Sequence, residues 1–220
     1  MEPWKINSQP TWKTGSFALV IGITGGVGAG KSRILNILKE EYHAYILQAD
    51  EVAAELEKPG QEGLRLLTEC FGKEILQADG SLDRKAFAEL IFQDSSALLQ
   101  VNAIIHPLTW QKLCEKVAAI IQSASGNERV LIAVEAALFD EKSRQLCDTL
   151  WYVDTTEEKR IVRLMENRGY SWEKCQNIIH NQPGREDFLA LADEVIDNNG
   201  TLQEAREQIA RLLQFQGFLI

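Results

Sequence analysis

Residues 17–23 (FALVIGI) form a short apolar run with β-branched Val20, Ile21 and Ile23 that stops at a glycine-rich stretch, and residues 31–42 then set Ile34, Leu35 and Leu38 at helical spacing. Strand, loop, helix is the local reading. A second strand is predicted at 44–47, followed by Asp50 and a helical stretch to about Leu56 that ends near Pro59-Gly60. From 61 to about 123 the apolar positions recur at helical intervals: Leu64, Leu66, Leu67 and Phe71, then Phe87, Leu90 and Ile91, then Leu98 through Ile121, with a turn at Gly80. Residues 129–134 (RVLIAV) and 149–153 (TLWYV) read as buried strands, with Glu135 and Asp154 just beyond them. Charged helices are expected at 156–167 and 171–181, and the segment 168–185 carries several basic residues, as a helical lid would. A short strand at 194–196, the turn Asp197-Asn198-Asn199-Gly200 and an amphipathic helix at 202–215 complete the pattern. Strands alternating with helices imply an α/β fold, a parallel sheet covered on both faces and interrupted by a helical block.

Composition narrows this picture. With 220 residues, 45% of them hydrophobic and 25% charged, the chain can bury the core of one α/β domain without disulfides. No apolar run is long enough to span a bilayer, so a soluble, cytoplasmic protein with no membrane partner is expected. A formal net charge of −9 argues against a grip on nucleic acid and favours small ligands. Cys70, Cys114, Cys147 and Cys175 form no CxxC pair and lie far from His43, His106 and His180, so reduced thiols are expected rather than a zinc site. Residues 1–16 have two lysines, Trp4 and Trp12 but no apolar core, and read as a polar N-terminal extension.

The chemistry concentrates at Gly25-Gly26-Val27-Gly28-Ala29-Gly30-Lys31-Ser32, which fits G-x-x-x-x-G-K-[ST] between a predicted strand and a predicted helix. Glycines let successive backbone N–H groups curl around a phosphate, and the helix N-terminus adds partial positive charge. A turn alone explains neither Lys31 nor Ser32. Lys31 is expected to bridge the β- and γ-phosphates of ATP, and the Ser32 hydroxyl to be a ligand of Mg²⁺.

Phosphoryl transfer also calls for an acid at the nucleophile and cations for the migrating charge. Asp50, at a strand exit, suits a base for an acceptor hydroxyl; it also suits the N-cap of a helix starting at Glu51. Glu135 stands where an acid can orient metal-bound water, or it is a solvated loop residue. Arg163, Arg168 and Arg185 fall in or beside the lid, where guanidinium groups grip phosphate on closure or simply face solvent. Asn198, in the turn after the last strand, joins the loop as a cofactor-side candidate. His106, before Pro107, is either an acceptor contact or an ordinary helix boundary. Arg84 and Glu135 are placed with it on the substrate side.

With these residues in hand the chain resembles the dephospho-CoA kinase family over about residues 18–213. The resemblance rests on ITGGVGAGKS, QAD ending at Asp50, DGSLDRKAFAELIF, NAIIHPL, ENRGYS and ADEVIDNNG, in that order. It implies a P-loop kinase fold with a five-stranded parallel sheet in one kinase domain at 17–220. The core would be 17–49, 123–166 and 187–220, with a helical CoA-side insertion at about 50–122 and a lid at about 167–186. It implies ATP and Mg²⁺, dephospho-CoA as acceptor, Asp50 as base, and a monomer or weak homo-oligomer. The chain departs from the family pattern at Ala54 and Phe188, where a basic residue is usual, and at Glu135-Ala136-Ala137-Leu138-Phe139, where PLLFE is usual. The first two remove cations that Arg84, Lys85 or Arg185 could replace. They also keep open a kinase for another nucleotide or nucleoside, or a nucleotide-binding protein without transfer activity.

Overall fold

The computed structural model describes residues 18–124 and 129–219. The extension at 1–16, with its two tryptophans, and Phe17 lie outside them. Contacts divide the chain into two compact units, Gln48–Ala119 and a second formed by the stretches on either side of it.

The second unit is built on a five-stranded sheet in the order β2-β3-β1-β4-β5. β1 (Ala18–Thr24) lies at the centre, parallel to β3 (Val130–Glu135) and to β4 (Thr149–Asp154), and β4 is parallel to β5 (Glu194–Asp197). β2 (Tyr45–Gln48) takes the edge beside β3. The three central strands are buried nearly throughout, which is why their sequences read as continuous apolar runs rather than alternating ones. Leu19, Ile21 and Ile23, at alternate positions of β1, face a core shared with Ile34 and Leu38 of α1 (Lys31–Tyr42) and with Ile209 and Leu213 of α9 (Leu202–Phe215). A capping box between Thr201 and Glu204 fixes the start of α9. At the middle of β1, Gly22 is required by packing, since a Cβ there would sit 2.7 Å from Leu150 Cδ1. The chain fills one side of β1 with β2 and β3 and the other with β4 and β5, so the carboxyl end of β1 is the point where the order reverses, the place where open α/β sheets bind ligands.

The helical unit contains α2 (Ala49–Leu56), α3 (Glu62–Phe71), α4 (Arg84–Gln93) and α5 (Ser95–Ser123) as far as Ala119. Leu64, Leu67, Ile75, Leu82, Phe87, Val101 and Ile105 form its core. Asp83 caps α4 by accepting from the Lys85 and Ala86 N–H groups. Two expectations are corrected here. α2 starts at Ala49 with Gln48 as its N-cap, so Asp50 is in the first helical turn and is not a cap. α5 runs straight through Pro107, so His106 marks no helix boundary. The buried positions Ala97, Val101, Ile105, Thr109, Leu113 and Val117 recur every fourth residue across the proline, and burial of that stripe outweighs one lost backbone hydrogen bond.

The segment expected as a lid contains α7 (Trp172–His180), which packs Cys175 and Ile179 against Ile161 and Leu164 of α6 (Glu157–Arg168). α8 (Arg185–Leu191) follows and buries Phe188. Among the described residues no helix is long and apolar enough to cross a membrane, and all four cysteines are free.

Candidate active site

The loop 25–30 leaves β1 at its carboxyl end and runs directly into α1. Gly25, Gly28 and Gly30 have φ of 150°, 78° and 90°, values that side-chain-bearing residues rarely adopt. Gly30 is the N-cap of α1, with no side-chain cap and no acidic residue in the first turn. The free N–H groups and the positive end of the helix dipole are therefore left for an anion. Lys31 Nζ donates to the Gly25 carbonyl at 2.8 Å and lies 3.5 Å from Glu135 Oε1. Glu135 is the last residue of β3 and is buried, not a solvated residue beyond the strand. Parallel pairing of Ile23 with Glu135 brings it level with the start of the loop. Ser32, the second residue of α1, is exposed.

Hydrogen bonds from three other segments hold the Ala29 end of the loop. The Ala29 carbonyl accepts from Asn198 Nδ2 at 2.7 Å, Thr155 Oγ1 at 2.9 Å and Arg163 Nη1 at 3.0 Å, while Arg163 Nη2 donates to the Asn198 carbonyl at 2.8 Å. Asn198 is 1% exposed and its Oδ1 accepts from Arg33 at 3.4 Å. Both ends of its amide are thus engaged inside the protein. Arg163 likewise braces the loop. Burial holds its guanidinium below its ordinary pKa, and the charge of Arg33 adds to the effect.

Arg160 went unnoticed in the sequence. Its Nε donates to the Val27 carbonyl at 2.8 Å, and its guanidinium lies so close over Gly26 that a Cβ there would be 2.3 Å from Nη2. The signal was present, since Arg160 and Arg163 are three residues apart and share one face of α6. Gln182, in the segment between α7 and α8, also reaches the loop: its Oε1 accepts from the Val27 N–H and from Arg160 Nη2, both at 2.9 Å.

Arg160 and Gln182 also line a cleft of about 600 Å³, together with Tyr152, Asp154, Arg185 and Phe188. Phe188 stacks on Tyr152 with centroids 5.0 Å apart and planes 3° apart. Arg185 Nε donates to Asp154 Oδ2 at 2.8 Å. Burial, and secondarily the Asp154 carboxylate, push the Tyr152 phenol up to about 12.

The remaining candidates are exposed or paired within their own unit. Arg168, the last residue of α6, is exposed. In the helical unit, Asp50 is exposed in the first turn of α2, His106 is exposed on α5, and Arg84 pairs with Glu57 at 3.1 Å.

A pre-shaped phosphate cradle at the carboxyl end of the central strand, with a lysine in place and helix-borne arginines around it, defines a P-loop kinase. A family model for dephospho-CoA kinase matches residues 19–204. The dephospho-CoA kinase of Corynebacterium glutamicum is 36% identical over 196 residues, covering 89% of this chain and 98% of that one. That of Carboxydothermus hydrogenoformans is 35% identical over 195 residues, covering 89% and 93%. The chain therefore belongs to the dephospho-CoA kinase family. Its fold is shared with a Thermus thermophilus crystal structure at 26% identity and a TM-score of 0.72, covering 90% of this chain and 97% of that one. It is shared too with the Campylobacter jejuni dephospho-CoA kinase at 20% identity and a TM-score of 0.65, covering 92% and 100%.

Proposed function

We propose that the protein transfers the γ-phosphoryl group of ATP to the ribose 3′-hydroxyl of dephospho-CoA, giving coenzyme A. The observation that carries this reading is the cradle itself in a chain of this family: Lys31 is already at the mouth of the loop, between Gly25 O and Glu135. On binding, Lys31 exchanges the Gly25 carbonyl for phosphate oxygens, a stronger partner because both groups are charged. The free N–H groups at the start of α1 take the bridging phosphates, and Asp50 accepts the proton of the attacking hydroxyl.

Magnesium fits these residues. Ser32 offers an exposed hydroxyl and Glu135 an acid at the same loop. That set suits an ion that keeps its waters and binds largely through nucleotide phosphates. When bound it supplies charge neutralisation across the phosphates.

A second reading, a kinase for another nucleotide or nucleoside, is favoured by the buried ring of Phe188 at a position that is basic in the family pattern. Purified protein with ATP, magnesium and dephospho-CoA should form CoA and ADP, and Lys31→Ala should lose at least about a hundredfold in rate. ADP formation with other acceptors only would select the second reading. Nucleotide binding with no transfer to any acceptor would leave a non-catalytic binding protein.

A further inference from the structure

Gln182 and Arg160 are 22 residues apart in sequence, on either side of α7, yet both reach the same residue of the phosphate loop. Arg160 Nε donates to the Val27 carbonyl, Val27 N–H donates to Gln182 Oε1, and Arg160 Nη2 donates to that same oxygen. The three groups form a closed ring. Chemistry fixes the amide orientation, because two N–H donors converge on it and only the oxygen can accept. The ring engages both backbone polar groups of Val27, so the tip of the loop cannot rotate without breaking it. The Val27 side chain is held as well, packed against Ile161, Leu164, Cys175 and Ile179 where α6 meets α7.

We propose that Gln182 is a positioning residue for phosphoryl transfer: its Oε1 locks the Val27 backbone to the Arg160 guanidinium, fixing the shape of the phosphate loop and tying it to the segment between α7 and α8. It rests on the kinase reading for its kinetic consequence but not for the contact itself. Asn198, Thr155 and Arg163 hold the helix side of the loop at Ala29, whereas this clasp holds the strand side. Without it, the backbone of the third loop residue loses its two polar anchors and keeps only the packing of its side chain, while the N-terminus of α1 stays in place. The transferring phosphate then meets a loop whose geometry is averaged, and positioning contributes strongly to this class of reaction.

The test has two arms. Amide exchange at Val27, read by NMR without nucleotide, should quicken at least about tenfold in Gln182→Met, which keeps the side-chain length but has no acceptor oxygen. Gln182→Glu should keep the protection, since a carboxylate accepts both bonds. Steady-state kinetics should show kcat/KM for ATP down about ten- to a hundredfold in Gln182→Met, with KM for the acceptor within about twofold. Adding Arg160→Met should cost less than the product of the two single losses, because both variants open the same ring. Unchanged exchange in Gln182→Met, full activity in that variant, or multiplicative losses in the double variant would each overturn the clasp. If the wild-type protein transfers no phosphoryl group, the kinase reading fails while the exchange arm still decides whether Gln182 holds Val27.

Discussion

Gly30→Ala should destabilise the protein by a mechanism that can be split into parts. Gly30 has φ of 90°, and a left-handed backbone costs an L-residue roughly 1–2 kcal/mol. The added Cβ would also lie 2.3 Å from Asn198 Nδ2, inside the 3.0 Å that real Cβ contacts respect. Asn198 is buried, so its amide must shift and give up the 2.7 Å bond to Ala29 O. Losing that bond costs about 1 kcal/mol, and more if the donor stays unpaired. The sum is about 3 kcal/mol, or a fall in Tm of roughly 6–12 °C for a protein of this size. In an Asn198→Ala background the collision with Asn198 disappears, leaving the backbone part and a close 3.1 Å approach to Arg163 Nη1. Thermal and urea unfolding of the two single variants and the double variant should therefore show a coupling of about 1 kcal/mol or more. Equal cost of Gly30→Ala in both backgrounds would refute the steric argument, and stability unchanged in either would refute the backbone argument too.

Asp50→Asn should leave ATP affinity within about twofold, measured by calorimetry, and lower CoA formation by at least about a hundredfold, the range of general base catalysis; full activity would remove Asp50 from its role. Tyr152 should titrate near pH 12, visible at 295 nm as a late-ionising phenol, while Tyr42 is also held above its ordinary value by burial and then by the Glu41 carboxylate. The sign follows from linkage: the unfolded phenol loses its proton near pH 10 and the folded one near pH 12. The contribution is thus fully present below pH 10 and is lost as pH rises towards 12. In Tyr152→Phe that part of the alkaline loss of stability should vanish, and an unchanged profile would show that the late-titrating group lies elsewhere.

The parts of this molecule legible in sequence are those set by local chemistry. Glycines at 25, 28 and 30 followed by Lys31 and Ser32 name a phosphate loop because positive φ and a helix N-terminus are properties of neighbouring residues. The span of α9 was readable for the same reason: Thr201 and Glu204 form its capping box, and its apolar face repeats with helical spacing. Local rules misled where burial outweighed them. The residue before Pro107 also suited a boundary, although helical spacing ran on to Ile121, and a buried stripe carries α5 past it. Asp50 looked like a cap, but the helix takes up the chain directly from β2, starting at Ala49.

By itself the sequence determined the alternation of strands and helices, the phosphate loop and, through its ordered motifs, the family. The tertiary structure decided the strand order, the placing of Glu135 beside Lys31, and which of many polar side chains brace the loop. Asn198 binds a carbonyl 169 residues away and Arg160 one 133 away, separations at which no periodicity or spacing rule operates. Such pairs exist only after β1, β4 and β5 are side by side. Parallel pairing sets the ends of these strands next to one another, and the loops that leave them are then close enough for their polar groups to bond.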